Sequence, residues 1–235
     1  MTTTSTTTTL SERLREASEP LWSQVFEHPF VTGIADGSLP LDSFRFYLEQ
    51  DRLFLFDYAR ALGAAAARSV DDGELRGLAA ALSETLEVEL EENGRLVERT
   101  IADGAADRGG SLELGPAAQG YVSWLLDVSF RGTPLEIATA LLPCPWSYTE
   151  VGVHFAGAEP PNAIYRDWLA YQRSDEVQQH SRALIRDLNA RATAGADLVR
   201  LATTFRLAVR YELAFWDAGY GLTQWPDAHS RERNP

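Results

Sequence analysis

The chain contains no lysine: all 21 of its basic residues are arginine, set against 34 aspartates and glutamates, for a net charge of −13. That balance provides no basic footprint for nucleic-acid phosphates and disfavours an anionic membrane surface equally. Genomic bias toward arginine codons accounts for the missing lysine but less readily for the acidic excess, which leans toward a salt-tolerant source with a carboxylate-rich surface. Cysteine is nearly absent too. The single Cys144 excludes an internal disulfide framework. No apolar run approaches the roughly 20 residues that span a bilayer. The Thr-rich start, Met1 to Thr9, lacks the basic head and apolar middle of a signal peptide, so the expected compartment is the cytoplasm. The four histidines, His28, His154, His180 and His229, lie far apart and make no metal-ligand spacing. There is no glycine-rich phosphate loop, internal repeat or strand-like alternation.

What remains is a succession of amphipathic segments of helical period, broken by short Gly/Pro/Asp/Asn stretches. Helices are predicted near residues 10–28, 41–69, 73–103, 116–131, 134–156, 161–172, 174–193 and 196–220. Ser11 to Leu14 is expected to open the first, and Ser43, with Leu41 and Asp42, to cap the second. Gly104 to Gly115 reads as a surface loop. The expected architecture is a single all-α domain over residues 11–225, between a disordered tail (1–10) and a polar C-terminal tail (226–235).

Several side chains fit poorly into this core. Cys144 lies between Pro143 and Pro145 in an otherwise helical stretch, where proline removes a backbone hydrogen bond and clashes with the preceding turn. A break that re-aims the thiol is therefore expected. Free cysteine is often inert filler, and position alone leaves filler and chemistry both open. Asp51 falls where the stripe Phe44, Tyr47, Leu48, Phe54, Leu55, Tyr58, Leu62 should continue. A carboxylate there must be paired or hydrogen-bonded, by an arginine or by a ligand. Glu212 interrupts the stripe Leu201, Phe205, Ala208, Phe215, Trp216 in the same way. Among aromatics its pKa should rise, which suits a proton shuttle near neutrality, although an ion pair would also explain it. Tyr121, Tyr148 and Tyr171 fall on apolar helix sides and need hydrogen-bond partners. Together these anomalies describe a polar cluster in an aromatic pocket.

Four separated segments carry a family resemblance. They are His28-Pro-Phe-Val-Thr-Gly-Ile-Ala-Asp-Gly-Ser-Leu-Pro40, Phe46-Tyr-Leu-Glu-Gln-Asp51, Leu141-Leu-Pro-Cys-Pro-Trp-Ser-Tyr-Thr-Glu-Val-Gly152 and Tyr211-Glu-Leu-Ala-Phe-Trp216. In this order they resemble the TenA, or thiaminase II, family from about Leu21 to Tyr220. The resemblance implies a haem-oxygenase-like helical fold, commonly a homotetramer, with no cofactor or metal. Cys144 matches the cysteine-type members, which hydrolyse aminopyrimidines carrying a leaving group on the ring's methylene. It implies Cys144 as the nucleophile that adds to the ring, Glu212 as the proton carrier and Asp51 as the acceptor for the aminopyrimidine edge. Tyr121, Tyr148 and Tyr171 match family pocket positions, with Phe215 as a ring contact. Phe54 stands where cysteine-type relatives often have tyrosine, which keeps stacking and loses one hydroxyl. Pro145 replaces an aromatic residue and bears on the thiol's aim.

Two other classes compete. A di-iron oxidase on the same fold needs several histidines and carboxylates at helical spacing. Glu87 and Glu89 are present, but Asn93 stands where a histidine would be needed, and His180 has no partner three or four residues away. A non-catalytic regulator would have no need of intact Cys144, Asp51 and Glu212.

Overall fold

The computed structural model describes residues 8–106, 113–192 and 195–226. Both tails, apart from their innermost residues, and the middle of the Gly104–Gly115 connection lie outside the described residues. Among the described residues there is no strand. The elements are α1 (Leu10–Ala17), α2 (Leu21–Glu27), α3 (Pro29–Asp36), α4 (Leu41–Ala67), α5 (Asp72–Glu84), a π-helical turn (Thr85–Glu89), α6 (Leu90–Ala102), α7 (Pro116–Arg131), α8 (Pro134–Leu141), α9 (Pro143–His154), α10 (Ala163–Gln172), α11 (Asp175–Arg191) and α12 (Leu198–Gly221).

Local chemistry sets most boundaries. α1 starts at Leu10, where the predicted helix begins, but Thr9 rather than Ser11 opens it: Thr9 and Glu12 form a reciprocal capping box that satisfies two otherwise orphaned N–H groups. The predicted 10–28 helix is divided by Pro20, and Pro29 starts a third helix at its N1 position, where its missing N–H costs nothing. Ser43 does not cap α4: the flanking residue is Pro40 and no side chain caps that end, while Ser43 Oγ donates instead to Tyr220 O. α4 and α12 are the two long helices of the core. α4 packs against α5, α6, α7 and α12, and α12 also meets α2, α7, α8 and α9. Their close approach requires Gly219, where an added Cβ would come within 2.9 Å of Phe30 and 3.2 Å of Tyr47.

Two irregularities shape the site. The predicted 73–103 helix widens into the π turn, where Leu90 N–H donates to Thr85 O, an insertion often found at functional sites. The predicted 134–156 helix breaks at Leu142. Both prolines flanking Cys144 therefore fall in the first turn of α9, where backbone N–H groups have no helical partner. The Leu141 carbonyl, four residues before Pro145, accepts from Tyr58 Oη at 3.3 Å instead.

Candidate active site

One face of α4 supplies Tyr47, Leu48, Asp51, Leu55 and Tyr58 to a pocket of about 800 Å³, open mouth included. The start of α9 supplies Cys144, Pro145 and Tyr148 opposite. Glu84, Thr85, Glu89, Glu92 and Asn93 come from the end of α5, the π turn and α6, with Trp168 and Tyr171 from α10 and His180 from α11. Cys144, Asp51, Tyr148 and Tyr171, singled out in the sequence, thus share one cavity. Glu212, Tyr121, Phe54 and Phe215 do not line it. They form a buried layer in which Phe54 packs on Tyr121 (centroids 5.0 Å) and on Phe215 (5.7 Å).

Glu212 is 2% exposed, and Tyr121 Oη donates to its Oε1 at 2.6 Å. Burial lifts its carboxyl to about 8; the Tyr121 bond opposes the rise and the Asp51 charge adds to it. Asp51 is pushed to about 7 by burial and by Glu89, against the pull of Asn93. Asn93 Nδ2 donates to Asp51 Oδ2 at 3.0 Å and to Leu48 O at 2.9 Å, so the partner of Asp51 is an amide and not an arginine. Glu89 also rises to about 7, through burial and Glu84, with His180 and Thr85 opposing.

The thiol of Cys144 is held neutral. Burial comes first, and the charges of Glu212, Glu89 and Asp51 add to it, all raising its pKa well above the usual thiol value. Three carboxyls lifted to about 7, 7 and 8 thus bear on one thiol. Tyr47 Oη donates to Tyr148 Oη at 3.2 Å, and Tyr148 packs against Trp168 and Trp216. His180 Nδ1 lies 2.5 Å from Glu84 Oε2. Among the described residues no three His, Cys, Asp or Glu side chains are grouped to hold a metal ion, and no helix is long and apolar enough to cross a membrane.

Glu84, Glu89, Asn93 and His180 carry no role in the sequence-level site. The π turn explains why: it rephases the helix, so counting at 3.6 residues per turn does not place Glu84, Glu89 and Asn93 on one face. Five acids followed by an asparagine between Glu84 and Asn93 were the available signal.

Residues 15–222 match the TENA/THI-4/PQQC family. The chain belongs to that family. It is 32% identical over 216 residues to a Halalkalibacterium halodurans protein named aminopyrimidine aminohydrolase, covering 90% of this chain and 96% of the relative. A Bacillus subtilis protein of the same name is 30% identical over 224 residues, covering 94% of each chain. Among solved structures, a TenA homologue from P. horikoshii OT3 superposes with a TM-score of 0.81 at 28% identity, covering 91% of this chain and 99% of the other. A Shewanella denitrificans domain of unknown function with a heme oxygenase-like fold, 12% identical with a TM-score of 0.69 over 89% of this chain and 91% of its own, is alike in fold alone. The all-α, haem-oxygenase-like class expected from the sequence is the one found.

Proposed function

We propose that this chain hydrolyses thiamine-derived aminopyrimidines, with 4-amino-5-aminomethyl-2-methylpyrimidine as a substrate and 4-amino-5-hydroxymethyl-2-methylpyrimidine as the product returned to thiamine synthesis. Thiamine is a further substrate with a different leaving group. The carrying observation is that Cys144 and Asp51 face one aromatic pocket while Glu212, lifted to about 8, acts on the thiol from behind it. The names of the two relatives support the same chemistry.

In this mechanism Asp51 accepts from the amino group and a protonated ring nitrogen, bonds strengthened by charge. As the sulfur adds to a ring carbon, the Cys144 thiol proton passes to the neighbouring ring nitrogen, and it returns to the sulfur when the sulfur later departs. The electron pair released into the ring expels the amine from the methylene. Glu212, largely protonated at neutral pH but one layer behind the wall, is the source of the proton with which the amine leaves neutral, and the proton reaches the amine by relay across that wall. Water then adds to the exposed methylene, giving its proton back to Glu212, and the sulfur departs to restore the ring. One water is consumed and one amine released. Cytoplasmic location and a homotetramer belong to the same proposal, and light scattering checks the latter.

The test is hydrolysis of the aminomethylpyrimidine by wild type and Cys144→Ser. The variant should lose nearly all turnover while keeping the fold and product affinity. Retention of most of the wild-type rate would remove covalent catalysis.

A further inference from the structure

Two prolines leave the segment that carries Cys144 short of backbone donors. Pro143 and Pro145 have no N–H, so the Leu141 carbonyl, four residues before Pro145, meets no helical donor. Leu142 nevertheless keeps right-handed helical angles (φ −65°, ψ −39°), which would aim such a donor at it. Tyr58 Oη takes its place, donating to Leu141 O at 3.3 Å in a buried bond. Tyr58 is 6% exposed, stacks on Phe54 with centroids 5.7 Å apart, and lines the pocket with Cys144 and Pro145. Burial first and the Cys144 charge second raise the phenol well above its usual pKa, so this donor keeps its hydrogen. α4 packs mainly against α5, α6, α7 and α12. It is joined to the α8–α9 segment across the pocket by Tyr58 and by Tyr47, whose Oη donates to Tyr148 Oη at 3.2 Å. Asp51 stands seven residues before Tyr58 on the same face of α4 and lines the same pocket.

One helix thus carries both the carboxylate assigned to the pyrimidine edge and the phenol that pins the turn bearing the thiol. We propose that Tyr58 is a positioning residue for Cys144: it supplies the hydrogen bond that Pro145 withholds from Leu141 O, and so holds the first turn of α9 against α4 at the spacing from which the sulfur meets a ring bound by Asp51. The inference rests on the aminopyrimidine function proposed above and adds the residue that sets its attack geometry. In this role Tyr58 moves no proton and grips no part of the pyrimidine; it acts through the backbone of the α8–α9 junction. Addition of a fixed nucleophile to a bound ring depends steeply on alignment, and a displacement of about 1 Å costs as much as roughly 100-fold in rate. Tyr58 and Pro145 are therefore coupled. Pro145→Ala would supply an N–H that the Leu142 angles direct to Leu141 O, and the turn would no longer depend on the phenol.

The test is a double-mutant cycle in the full chain, with Tyr58→Phe, Pro145→Ala and the two combined. Tyr58→Phe should lower kcat for the aminomethylpyrimidine by roughly tenfold or more. Calorimetric affinity for the hydroxymethylpyrimidine should stay within about twofold, and neither limb of the pH profile should move. Pro145→Ala alone should change kcat by less than about threefold, and in that background Tyr58→Phe should cost less than about threefold. Should Tyr58→Phe fail to fold, the double variant, with a donor restored to Leu141 O, should fold and turn over close to the Pro145→Ala rate. An equal loss of kcat in both backgrounds overturns the proposal, since the phenol would then act apart from Leu141 O. So does a Tyr58→Phe rate close to wild type, or a loss confined to affinity. A displaced pH limb overturns it too, because the hydroxyl would then carry protons. Wild-type protein that neither binds nor hydrolyses the pyrimidines refutes the aminopyrimidine reading itself, and the positioning role with it.

Discussion

Removing a single oxygen from Tyr121 should move the enzyme's pH dependence. Tyr121 Oη donates to Glu212 Oε1 at 2.6 Å with both side chains buried, and this bond favours the ionised carboxylate. A hydrogen bond to a charged group is worth about 1.5–3 kcal/mol, and one pKa unit corresponds to about 1.4 kcal/mol. Tyr121→Phe should therefore raise the Glu212 carboxyl, already near 8, by roughly 1–2 further units. The ring stays packed between Phe54 and Tyr211, each 5.0 Å away between centroids, so little else should change. With Glu212 as the acid that serves the leaving amine, activity falls on its deprotonation. The alkaline limb of the kcat profile for the aminomethylpyrimidine should then shift upward by the same roughly 1–2 units. Denaturant unfolding gives an independent check: the variant should lose little stability at pH 6, where Glu212 is neutral, and more at pH 9. A fall in kcat with the alkaline limb unmoved would show that another group titrates there.

Three further outcomes follow from the same site. Asp51→Asn keeps the shape and removes the charge, so calorimetric affinity for the hydroxymethylpyrimidine should fall by roughly tenfold or more; unchanged affinity would remove Asp51 from pyrimidine recognition. Glu212→Gln should lower kcat/KM for the aminomethylpyrimidine more than for thiamine, whose thiazolium leaves as a neutral thiazole without needing a proton; a larger loss on thiamine would contradict the proton-donor role. Finally, Asp51 and Glu89 titrate near 7 and Glu212 near 8 in the fold, against ordinary values of 3.8, 4.5 and 4.5. Across that interval the folded state binds more protons than the unfolded one, so stability should be greatest at mildly acidic pH and decline from roughly pH 5 to 8. Urea denaturation should show this slope, reduced at its upper end in Glu212→Gln, and a flat or rising profile would refute it.

Helical period and polar interruption made the all-α class and half of the candidate site legible. Asp51 and Glu212 each stood where an apolar stripe should have continued, and burial at those positions follows from the stripe itself. The break at Cys144 was legible from Pro143 and Pro145, although its form was not: both prolines start a helix rather than kink one. The Tyr121–Glu212 bond joins residues 91 positions apart, and no local pattern records such a pairing. Phe54 and Phe215 match pocket positions by resemblance, yet they sit one layer behind the wall, because a stripe gives a residue's face but not its depth. The π turn set Glu84 apart from Glu89 and Asn93, since a one-residue widening between them defeats a count that assumes 3.6, whereas Glu89 and Asn93, four apart, share a face by ordinary counting.

The same carboxyls that make the empty pocket hostile to a thiolate make it receptive to a cation. Glu212, Glu89 and Asp51 all raise the Cys144 pKa, so a thiol in the unliganded enzyme is protected from deprotonation and from the side reactions of a thiolate. A protonated aminopyrimidine entering this site supplies positive charge close to each carboxyl, stabilises their ionised forms and cancels part of their effect on sulfur. Under the proposed function, activation would be coupled to occupancy: the substrate would provide the counter-charge that no arginine among the described residues lining the pocket provides. An arginine beside Cys144 would lower the thiol's pKa permanently, but it would also neutralise the acceptors that recognise the amine. Under the same proposal, leaving the carboxyls without ion pairs costs folding stability at alkaline pH and would make the thiol available as a nucleophile only when a cation is bound.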